Sequence, residues 1–248
     1  MKLWERALAR SAVYEYLSIA FLYPEAQLLE ALQGDGETAA ELLGLLYGDE
    51  GRTHLLSFAS AVRSQTLTGL REEFTDAFGH IVSTDCPPYE GEYGQAHIFH
   101  KSHSLADLSG FFKAFGLEPD PGLKDRLDHI SVELEFMHFM SLKEAHALRQ
   151  RHGNAKVEIC RKGQRSFLEQ HLGYWACSFA GRLSELAGGG AYASLARGLD
   201  YFVRAEMLAR ELPVGPRLPV VPEPRADEDP SCYSCPLADS LEPEVAVL

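Results

Sequence analysis

Acidic and histidine side chains are concentrated in one stretch of the sequence, the eleven residues from 128 to 138. This stretch holds three carboxylates and two histidines: Asp128, Glu133, Glu135, His129 and His138. His129 and Glu133 are four residues apart, so on a helix they share a face and form an ordinary stabilising pair worth about 0.2–0.5 kcal/mol. The same side chains are also suited to lining a surface that recognises a partner. The spacing alone leaves both interpretations open.

Glu135 and His138 match the Glu-x-x-His pattern, which supplies two ligands of a di-iron centre in some four-helix bundles. Such a centre needs a second copy of the pattern and two further inward-facing glutamates. The sequence has no second Glu-x-x-His. A metal-dependent helical enzyme that uses Glu133, Glu135 and His138 is therefore the alternative hypothesis, and a binding protein is the first.

Two cysteines near the C-terminal end, Cys232 and Cys235, form a Cys-x-x-Cys pattern. His97, His100 and His103 recur at every third residue, and two thiolates with two imidazoles can bind zinc tetrahedrally. However, the histidines lie more than 100 residues away, whereas zinc sites usually show two closely spaced ligand pairs. Free or reversibly oxidised thiols beside solvated histidines are the competing interpretation.

Signatures of several enzyme classes are missing from the sequence. It has no Gly-x-x-x-x-Gly-Lys phosphate loop and no Gly-x-Gly-x-x-Gly after a predicted strand. No Gly-x-Ser-x-Gly elbow is present to expose a nucleophilic serine. We therefore predict that the protein is not an enzyme, and we expect no cofactor.

The elements that carry these residues are predicted to be helices, because apolar residues recur at helical spacing and no run of β-branched residues alternates. The fold class is therefore all-α. A capping box at Ser104 and Asp107 predicts the start of a helix that stops at Gly116, and Gly34-Asp35-Gly36 predicts a break between two short helices. The other predicted helices run at about 2–22, 25–32, 37–47, 51–67, 69–79, 123–151, 156–171, 173–187 and 191–212.

Prolines and glycines mark two irregular regions. Two of each fall within residues 87–94, so the segment 83–94 is predicted to be an interior loop and a candidate hinge. Eight of the 13 prolines fall in the last 36 residues. The chain is therefore predicted to consist of one helical domain at 1–211 and an extended Pro-rich tail at 212–248.

The charge balance restricts the partners. With 23 Lys and Arg against 36 Asp and Glu, the net charge is −13, which repels nucleic acids and anionic lipids and attracts cationic partners. No apolar run reaches the roughly 18 residues that a membrane span needs. Charges at Glu5, Arg6, Arg10 and Glu15 interrupt the apolar core of a secretory signal, and five scattered cysteines favour reduced thiols. We expect a cytoplasmic protein without nucleic-acid binding or stable membrane insertion.

Four groups of residues, in this order, carry a family resemblance. They are Pro87-Pro88-Tyr89-Glu90-Gly91-Glu92-Tyr93, then Leu105 to Leu117 with its Gly110-Phe111-Phe112 core, then Asp128-His129-Ile130 with Glu133-Leu134-Glu135-Phe136-Met137, and last Phe167 to Leu172 with Trp175 and Phe179. Over about residues 10–210, the chain resembles the TorD/DmsD/NarJ family of cytoplasmic chaperones for molybdenum-cofactor oxidoreductases. The Cys-Pro-Pro-Tyr-Glu variant is similar to the branch that serves dimethylsulfide and ethylbenzene dehydrogenases and chlorate and selenate reductases.

The resemblance implies a single-domain TorD-like helical bundle, occurring as a monomer or a domain-swapped dimer. It implies binding to the N-terminal leader, often a twin-arginine signal, of a molybdoenzyme catalytic subunit until the cofactor is inserted. The residues that it places around the peptide groove are Pro88, Tyr89, Glu90, Tyr93, Asp128 and His129, with Tyr16 and Glu133 as further candidates. Where the family has Glu-Pro ahead of its Asp-His pair, this chain has Asp125-Arg126-Leu127.

The chemistry of such a leader agrees with these residues. A peptide with two arginines and an apolar stretch calls for carboxylates beside an aromatic or aliphatic groove. Glu90, Glu92 and Asp128 supply carboxylates, and Tyr89 and Tyr93 supply rings. An arginine can bond to a carboxylate with two parallel hydrogen bonds while it stacks on a tyrosine. We therefore predict a groove bordered by residues 87–93 and by the helix that starts near 123.

Overall fold

The structure, a computed structural model, describes residues 1–79, 85–94, 100–118 and 126–221. In the range 100–118, it describes side chains from Ser104 onward. Within these residues it contains nine α-helices, one short 3-10 turn at Glu90–Glu92 and no strand. The helices are α1 Leu3–Ala20, α2 Ala26–Tyr47, α3 Asp49–Ser64, α4 Leu67–Phe78, α5 His100–Ala114, α6 Ile130–Arg149, α7 Asn154–Gln170, α8 Leu172–Leu186 and α9 Ala191–Leu208. The predicted all-α fold is confirmed. None of the described helices is long and apolar enough to span a bilayer.

Helix α6 holds the bundle together, because it packs along α1 and also contacts α7 and α8. The other main pairs are α2 with α3 and α8 with α9, and α3 also lies against α9. One continuous core joins them, and burial of each large apolar side chain contributes about 1.5–3 kcal/mol. Its largest fully buried side chains include Tyr14, Phe58, Phe167, Trp175, Phe179, Tyr192 and Phe202.

The predicted break at Gly34-Asp35-Gly36 is wrong, because α2 is continuous through it. A Cβ atom at Gly36 would lie 2.6 Å from Cβ of Ala59 and 2.8 Å from the hydroxyl of Tyr16. Gly36 therefore lets α2 approach α1 and α3 closely. The sequence alone does not distinguish a glycine that allows close helix packing from one that ends a helix, because the neighbouring helix is distant in the sequence.

Two predicted helix starts are also wrong. Helix α5 begins at His100, so Ser104 and Asp107 lie inside it and form no capping box at its start. Helix α6 begins at Ile130 instead of near 123, and His129 caps it in an extended conformation, with φ −73° and ψ 141°. The backbone around Asp128 and His129 bonds to the loop at 88–90, and this pairing holds it outside the helix.

The first part of the predicted tail is extended and tied to the domain. After α9, Leu212 is buried, and the N–H of Gly94 donates to the carbonyl of Pro219 at 3.0 Å. The N–H of Val221 donates in turn to the carbonyl of Glu92 at 2.8 Å. These two bonds anchor the chain leaving the bundle to the interior loop. The division at 211/212 and the hinge at 83–94 stay predictions.

The cysteine motif of the tail lies outside the described residues. This applies to Cys232, Cys235 and His97, and the side chains of His100 and His103 are outside the description as well. The zinc and redox hypotheses for these residues stay predictions. In the described part of the chain, Cys86, Cys160 and Cys177 form no disulfide, and burial raises the pKa of Cys86 to about 12.

Candidate functional site

The interior loop and the segment before α6 lie side by side, as the sequence predicted. The N–H of Ile130 donates to the carbonyl of Pro88, and the N–H of Glu90 donates to the carbonyl of Asp128, both at 2.9 Å. The side-chain ring of Tyr89 lies against that of His129, with the ring centroids 5.2 Å apart. This short antiparallel pairing brings together two parts of the chain that are about 40 residues apart in sequence.

Arg126 joins the two segments through its side chain. Its Nε and Nη2 donate to the two carboxylate oxygens of Asp128 at 2.9 and 2.6 Å, and its Nη1 donates to Glu92 at 3.0 Å. The guanidinium carbon lies 4.6 Å from the ring centroid of Tyr89. Arg126 is not among the residues predicted to border the groove. The sequence feature that could have indicated it is the segment Asp125-Arg126-Leu127, which stands where the family has Glu-Pro ahead of its Asp-His pair.

A second pair of side chains fixes the loop to α8. The ring of His171 is buried, and its Nδ1 lies 3.1 and 3.2 Å from the two carboxylate oxygens of Glu90. Its Nε2 lies 3.4 Å from a carboxylate oxygen of Asp107 on α5, and Asp107 is exposed. His171 therefore links the buried loop to a carboxylate at the surface.

Glu133 lies at the centre of this cluster and is fully buried. The indole N–H of Trp175 donates to both of its carboxylate oxygens at 3.1 Å, and its carboxyl also shares a hydrogen bond with Glu90. Burial and the negative charge of Glu90 raise the pKa of Glu133 well above its ordinary value. A neutral Glu133 can therefore donate to the Glu90 carboxylate while it accepts from Trp175.

Replacement of Glu133 by glutamine is expected to make stability less dependent on pH. The pKa of glutamate in an unfolded chain is about 4.3. Because the folded pKa is higher, folding takes up a proton above that pH, so the stability that protonated Glu133 contributes is lost as pH rises. Relative to the native chain, Glu133→Gln should gain up to about 1.4 kcal/mol per pH unit within this window.

Urea unfolding at a series of pH values from about 5 to about 7 measures this difference. Glu135→Gln is the matched control, because it makes the same chemical change on the exposed face of the same helix. A native chain and a Glu133→Gln variant with parallel pH profiles would contradict a raised pKa at Glu133.

The residues predicted to contact a peptide differ in their exposure. Pro88 and Tyr89 are partly exposed, whereas the other members of the set at this site are buried: Glu90, Tyr93, Asp128, His129 and Glu133. Tyr93 is fully buried and lies on Trp175, with the ring centroids 5.3 Å apart. The buried carboxylates are therefore bonded to groups of the protein itself and hold the loop in place.

Two further expectations for single residues are resolved by the structure. Tyr16 is buried where α1 meets α2 and α3: its ring centroid is 6.1 Å from that of Phe58, and its hydroxyl donates to the carbonyl of Leu32. His129 accepts a hydrogen bond from the N–H of Ser131 at 3.2 Å and caps α6. His129 therefore precedes the first residue of α6 and caps the helix, while the carboxylate of Glu133 accepts from Trp175.

The three proposed di-iron ligands point in different directions. Glu133 bonds to Trp175, Glu135 lies at the surface, and His138 lies 3.1 Å from the hydroxyl of Ser11 on α1. In the ranges that the structure describes, no group of three or more metal-ligating side chains occurs. The metal-enzyme alternative therefore receives no support from the geometry.

An apolar groove of about 610 Å³ lies where α5 ends between α6 and α7. Its wall includes Phe115, Phe139, Leu142 and Ile159, and two of these are well exposed: Leu142 at 41% and Ile159 at 59%. Four basic or imidazole side chains also line it: Lys143, His146, His152 and Lys156. No acidic residue lines this groove in the described structure.

The loop at 88–93 and the side chains that contact it, those of Asp128, His129, Glu133 and His171, form what we call the loop cluster. Two partly exposed stripes of side chains lead from the loop cluster to this groove. On α5, Asp107 and Phe111 are four residues apart and share a face, and Phe115, directly after the end of α5, continues it. On α6, a similar face carries Val132, Glu135, Phe139 and Leu142. The first residues of both stripes lie near the loop cluster, and the last residues line the groove.

Two other clefts on the described surface contain none of the predicted site residues. The larger, of about 920 Å³, carries charges that pair with one another, as Arg204 does with Asp200 at 2.8 Å and Arg217 with Glu185 at 2.6 Å. The smaller, of about 400 Å³, is lined mainly by basic side chains around Arg10. The groove next to α6 lies at the ends of the two stripes that start near the loop cluster.

Comparisons with known proteins agree with the sequence resemblance. The family model described as nitrate reductase delta subunit matches residues 46–181, which contain the loop cluster, α5 and α6. A perchlorate reductase assembly chaperone protein of Dechloromonas aromatica (strain RCB) is 31% identical over 175 residues, covering 69% of this chain and 76% of the relative.

Two further relatives are more distant or match a shorter part. The selenate reductase assembly chaperone protein of Thauera selenatis is 32% identical over 101 residues, 41% of this chain and 50% of that protein. The chaperone protein TorD of Vibrio cholerae serotype O1 (strain M66-2) is 23% identical over 195 residues, 76% of this chain and 86% of that protein. The predicted family and its chlorate and selenate reductase branch are confirmed. Because the family model covers more than half of its length, this chain belongs to the nitrate reductase delta subunit family, that of TorD and NarJ.

Proposed function

We propose that this chain is an assembly chaperone for the catalytic subunit of a molybdenum-cofactor oxidoreductase and that it binds the N-terminal leader of that subunit. The names of its relatives support the first part, since they are assembly chaperones of perchlorate and selenate reductases and TorD. The role is binding and not catalysis. The chaperone acts in the cytoplasm, as a monomer or a domain-swapped dimer, before the client is exported or assembled.

The observation that carries the leader-binding proposal is the continuous face between the loop cluster and the apolar groove. From Val132 to Leu142 this face is about 15 Å long, at 1.5 Å per helical residue. About five residues of an extended peptide span the same length. A leader with two arginines and a following apolar stretch therefore fits with its arginines at one end and its apolar residues at the other.

The charges of the side chains along this face determine the orientation of the bound leader. Lys143 and Lys156 line the groove and repel arginine, whereas Asp107 and Glu135 lie exposed on the stripes that lead from the loop. We therefore place the arginines of the leader near Tyr89 and its apolar stretch in the groove. Burial of that stretch contributes about 25 cal/mol per Å² before the cost of ordering the peptide. Added salt should weaken the arginine end more than the apolar end.

A charge placed in the groove tests this proposal. Leu142→Glu puts an ionised carboxylate where the apolar stretch would lie and should reduce leader affinity about 10- to 100-fold, which corresponds to about 1.5–3 kcal/mol of lost apolar burial. The measurement is isothermal titration calorimetry with the leader peptide of a molybdoenzyme catalytic subunit encoded beside this chaperone.

The control is Leu186→Glu, because Leu186 is 54% exposed on α8 and does not line the groove. That variant should bind the leader as the native chain does. Equal affinities for the native chain and Leu142→Glu would remove the groove from the proposal, and no binding to any neighbouring leader would contradict leader recognition as a whole.

A further inference from the structure

The side chain of Arg126 is held in the way that a protein would hold an arginine of a bound peptide. Two of its nitrogens donate to Asp128, a third donates to Glu92, and its plane lies over the ring of Tyr89. We infer that Tyr89, Glu92 and Asp128 form a guanidinium-binding site, which Arg126 fills in the free chaperone and from which an arginine of the leader displaces it. This inference rests on the proposed function, because it names the group that the leader presents.

The carboxylate side of the site is held by contacts other than Arg126. Asp128 is fully buried, and one of its carboxylate oxygens accepts from the N–H of Gly91 at 3.1 Å. Its backbone carbonyl accepts from Glu90, whose side chain bonds to His171. The acceptor atoms therefore keep their positions when an arginine of the leader replaces Arg126, as a preorganised binding site requires.

Arg126 is the member of the site that can leave. Its side chain is 38% exposed, whereas that of Glu92 is 11% exposed and that of Asp128 is fully buried. Arg10 provides a contrast, because its side chain is 7% exposed and bonds to partners on three different helices inside the bundle. Withdrawal of Arg10 would open the core, but withdrawal of Arg126 would open a surface site.

The local charge favours a cation in this position. Without Arg126, Asp128 and Glu92 would lie beside each other and near Glu90, with no guanidinium between them. A second guanidinium is the group that fits the same fork and the same ring, whereas a lysine ammonium cannot form the two parallel bonds. A leader arginine can therefore replace Arg126 without loss of the charge balance, and a segment that lacks arginine cannot.

This competition lowers the affinity of the native chaperone for its leader. A ligand binds more weakly when only a fraction of the protein has its site open, and removal of the internal competitor restores the difference. Arg126→Ala should therefore bind an arginine-containing leader at least fivefold more tightly than the native chain. A leader with lysine in place of both arginines should gain much less from the substitution.

The first experiment tests the site without a leader. In thermal unfolding, millimolar methylguanidinium should raise the melting temperature of Arg126→Ala, and an equal concentration of methylammonium should raise it much less. The native chain, whose site is occupied by Arg126, should respond to neither. Equal responses of the variant to the two cations would overturn the guanidinium site.

The second experiment measures leader affinity by calorimetry for the native chain, Arg126→Ala and Arg126→Lys. Lysine preserves the positive charge that balances Asp128 and Glu92 but lacks the planar fork, so Arg126→Lys should bind the leader more tightly than the native chain by a smaller factor. If Arg126→Ala does not fold, Arg126→Lys still tests the inference. Arg161→Ala is the control, since Arg161 is also half-exposed at 41% and pairs with a buried carboxylate, Glu144, at 2.8 Å.

The outcomes separate this inference from the proposed function. If the native chain binds the leader and both Arg126 variants bind it equally or more weakly, the displacement inference is wrong and the leader-binding function stands. If no variant binds a leader but methylguanidinium still stabilises Arg126→Ala selectively, the guanidinium site is real and leader recognition is wrong. If Arg161→Ala gains affinity as Arg126→Ala does, the gain reflects general charge and the inference fails.

Discussion

Replacement of Arg10 by methionine is expected to lower the free energy of unfolding by about 3–5 kcal/mol, because it breaks a buried ion cluster and takes a cation away from two buried carboxylates, Glu144 and Glu206. Arg10 donates to Glu206 at 2.8 Å and to Glu144 at 3.1 Å, and it also donates to Gln164. The cluster joins α1, α6, α7 and α9. Urea unfolding followed by circular dichroism measures the loss.

Two further variants decide whether the loss comes from uncompensated charge. Glu206 is fully buried and also accepts from Tyr14 at 2.8 Å and from Tyr47. Addition of Glu206→Gln to Arg10→Met should therefore recover part of the lost stability, since it removes a buried charge that has lost its main partner. The control Arg204→Met breaks an exposed pair with Asp200 and should cost less than about 1 kcal/mol. A loss below that value for Arg10→Met would contradict the burial argument.

Replacement of Trp175 by alanine is expected to have an effect of similar size, about 3–5 kcal/mol. The indole is fully buried, lies on the ring of Tyr93 and donates to Glu133. Its removal leaves a cavity and deprives a buried carboxyl of its donor. Because Tyr93 belongs to the loop and Glu133 to α6, the loss should also loosen the loop next to the proposed guanidinium site.

Hydrogen exchange measures that local effect separately from global stability. In Trp175→Ala, the amides of Glu90 and Gly91, which donate to Asp128, should exchange faster than global unfolding alone explains. Trp4→Ala is the matched control, since Trp4 is the other of the two tryptophans, is partly exposed and contacts Arg149 at 5.4 Å. Unchanged exchange at the loop in Trp175→Ala would show that the indole does not hold it.

The burial of the site carboxylates affects how binding mutants must be interpreted. Asp128, Glu90 and Glu133 are all candidates for contact with the peptide, but each bonds inside the protein. A weaker leader affinity after their replacement would reflect a displaced loop as much as a lost contact with the peptide. Substitutions at exposed positions such as Asp107 and Leu142 are more direct tests.

Local patterns in the sequence determined the fold class and the position of the loop. Helical spacing of apolar residues identified most helices, because that spacing depends only on neighbours within two or three turns. Two prolines at 87 and 88 and the glycines after them excluded a helix there for an equally local reason. The order of the motifs, including Pro88-Tyr89-Glu90 and Asp128-His129, indicated the family, and the resemblance implied that these two segments border one groove.

Only the tertiary structure decided which side chains are exposed and what each charge bonds to. Arg10 and Glu206 are 196 residues apart, and nothing in the sequence near either residue indicates that they meet in the interior. A glycine can end a helix or allow two helices to pack closely, and only the structure shows that Gly36 does the second. Arg126 has the appearance of an ordinary surface cation in the sequence, and only the structure shows that Tyr89, Glu92 and Asp128 surround it. The physical reason is that helix formation follows from short-range periodicity, whereas burial and charge pairing depend on contacts between residues that are distant in the chain.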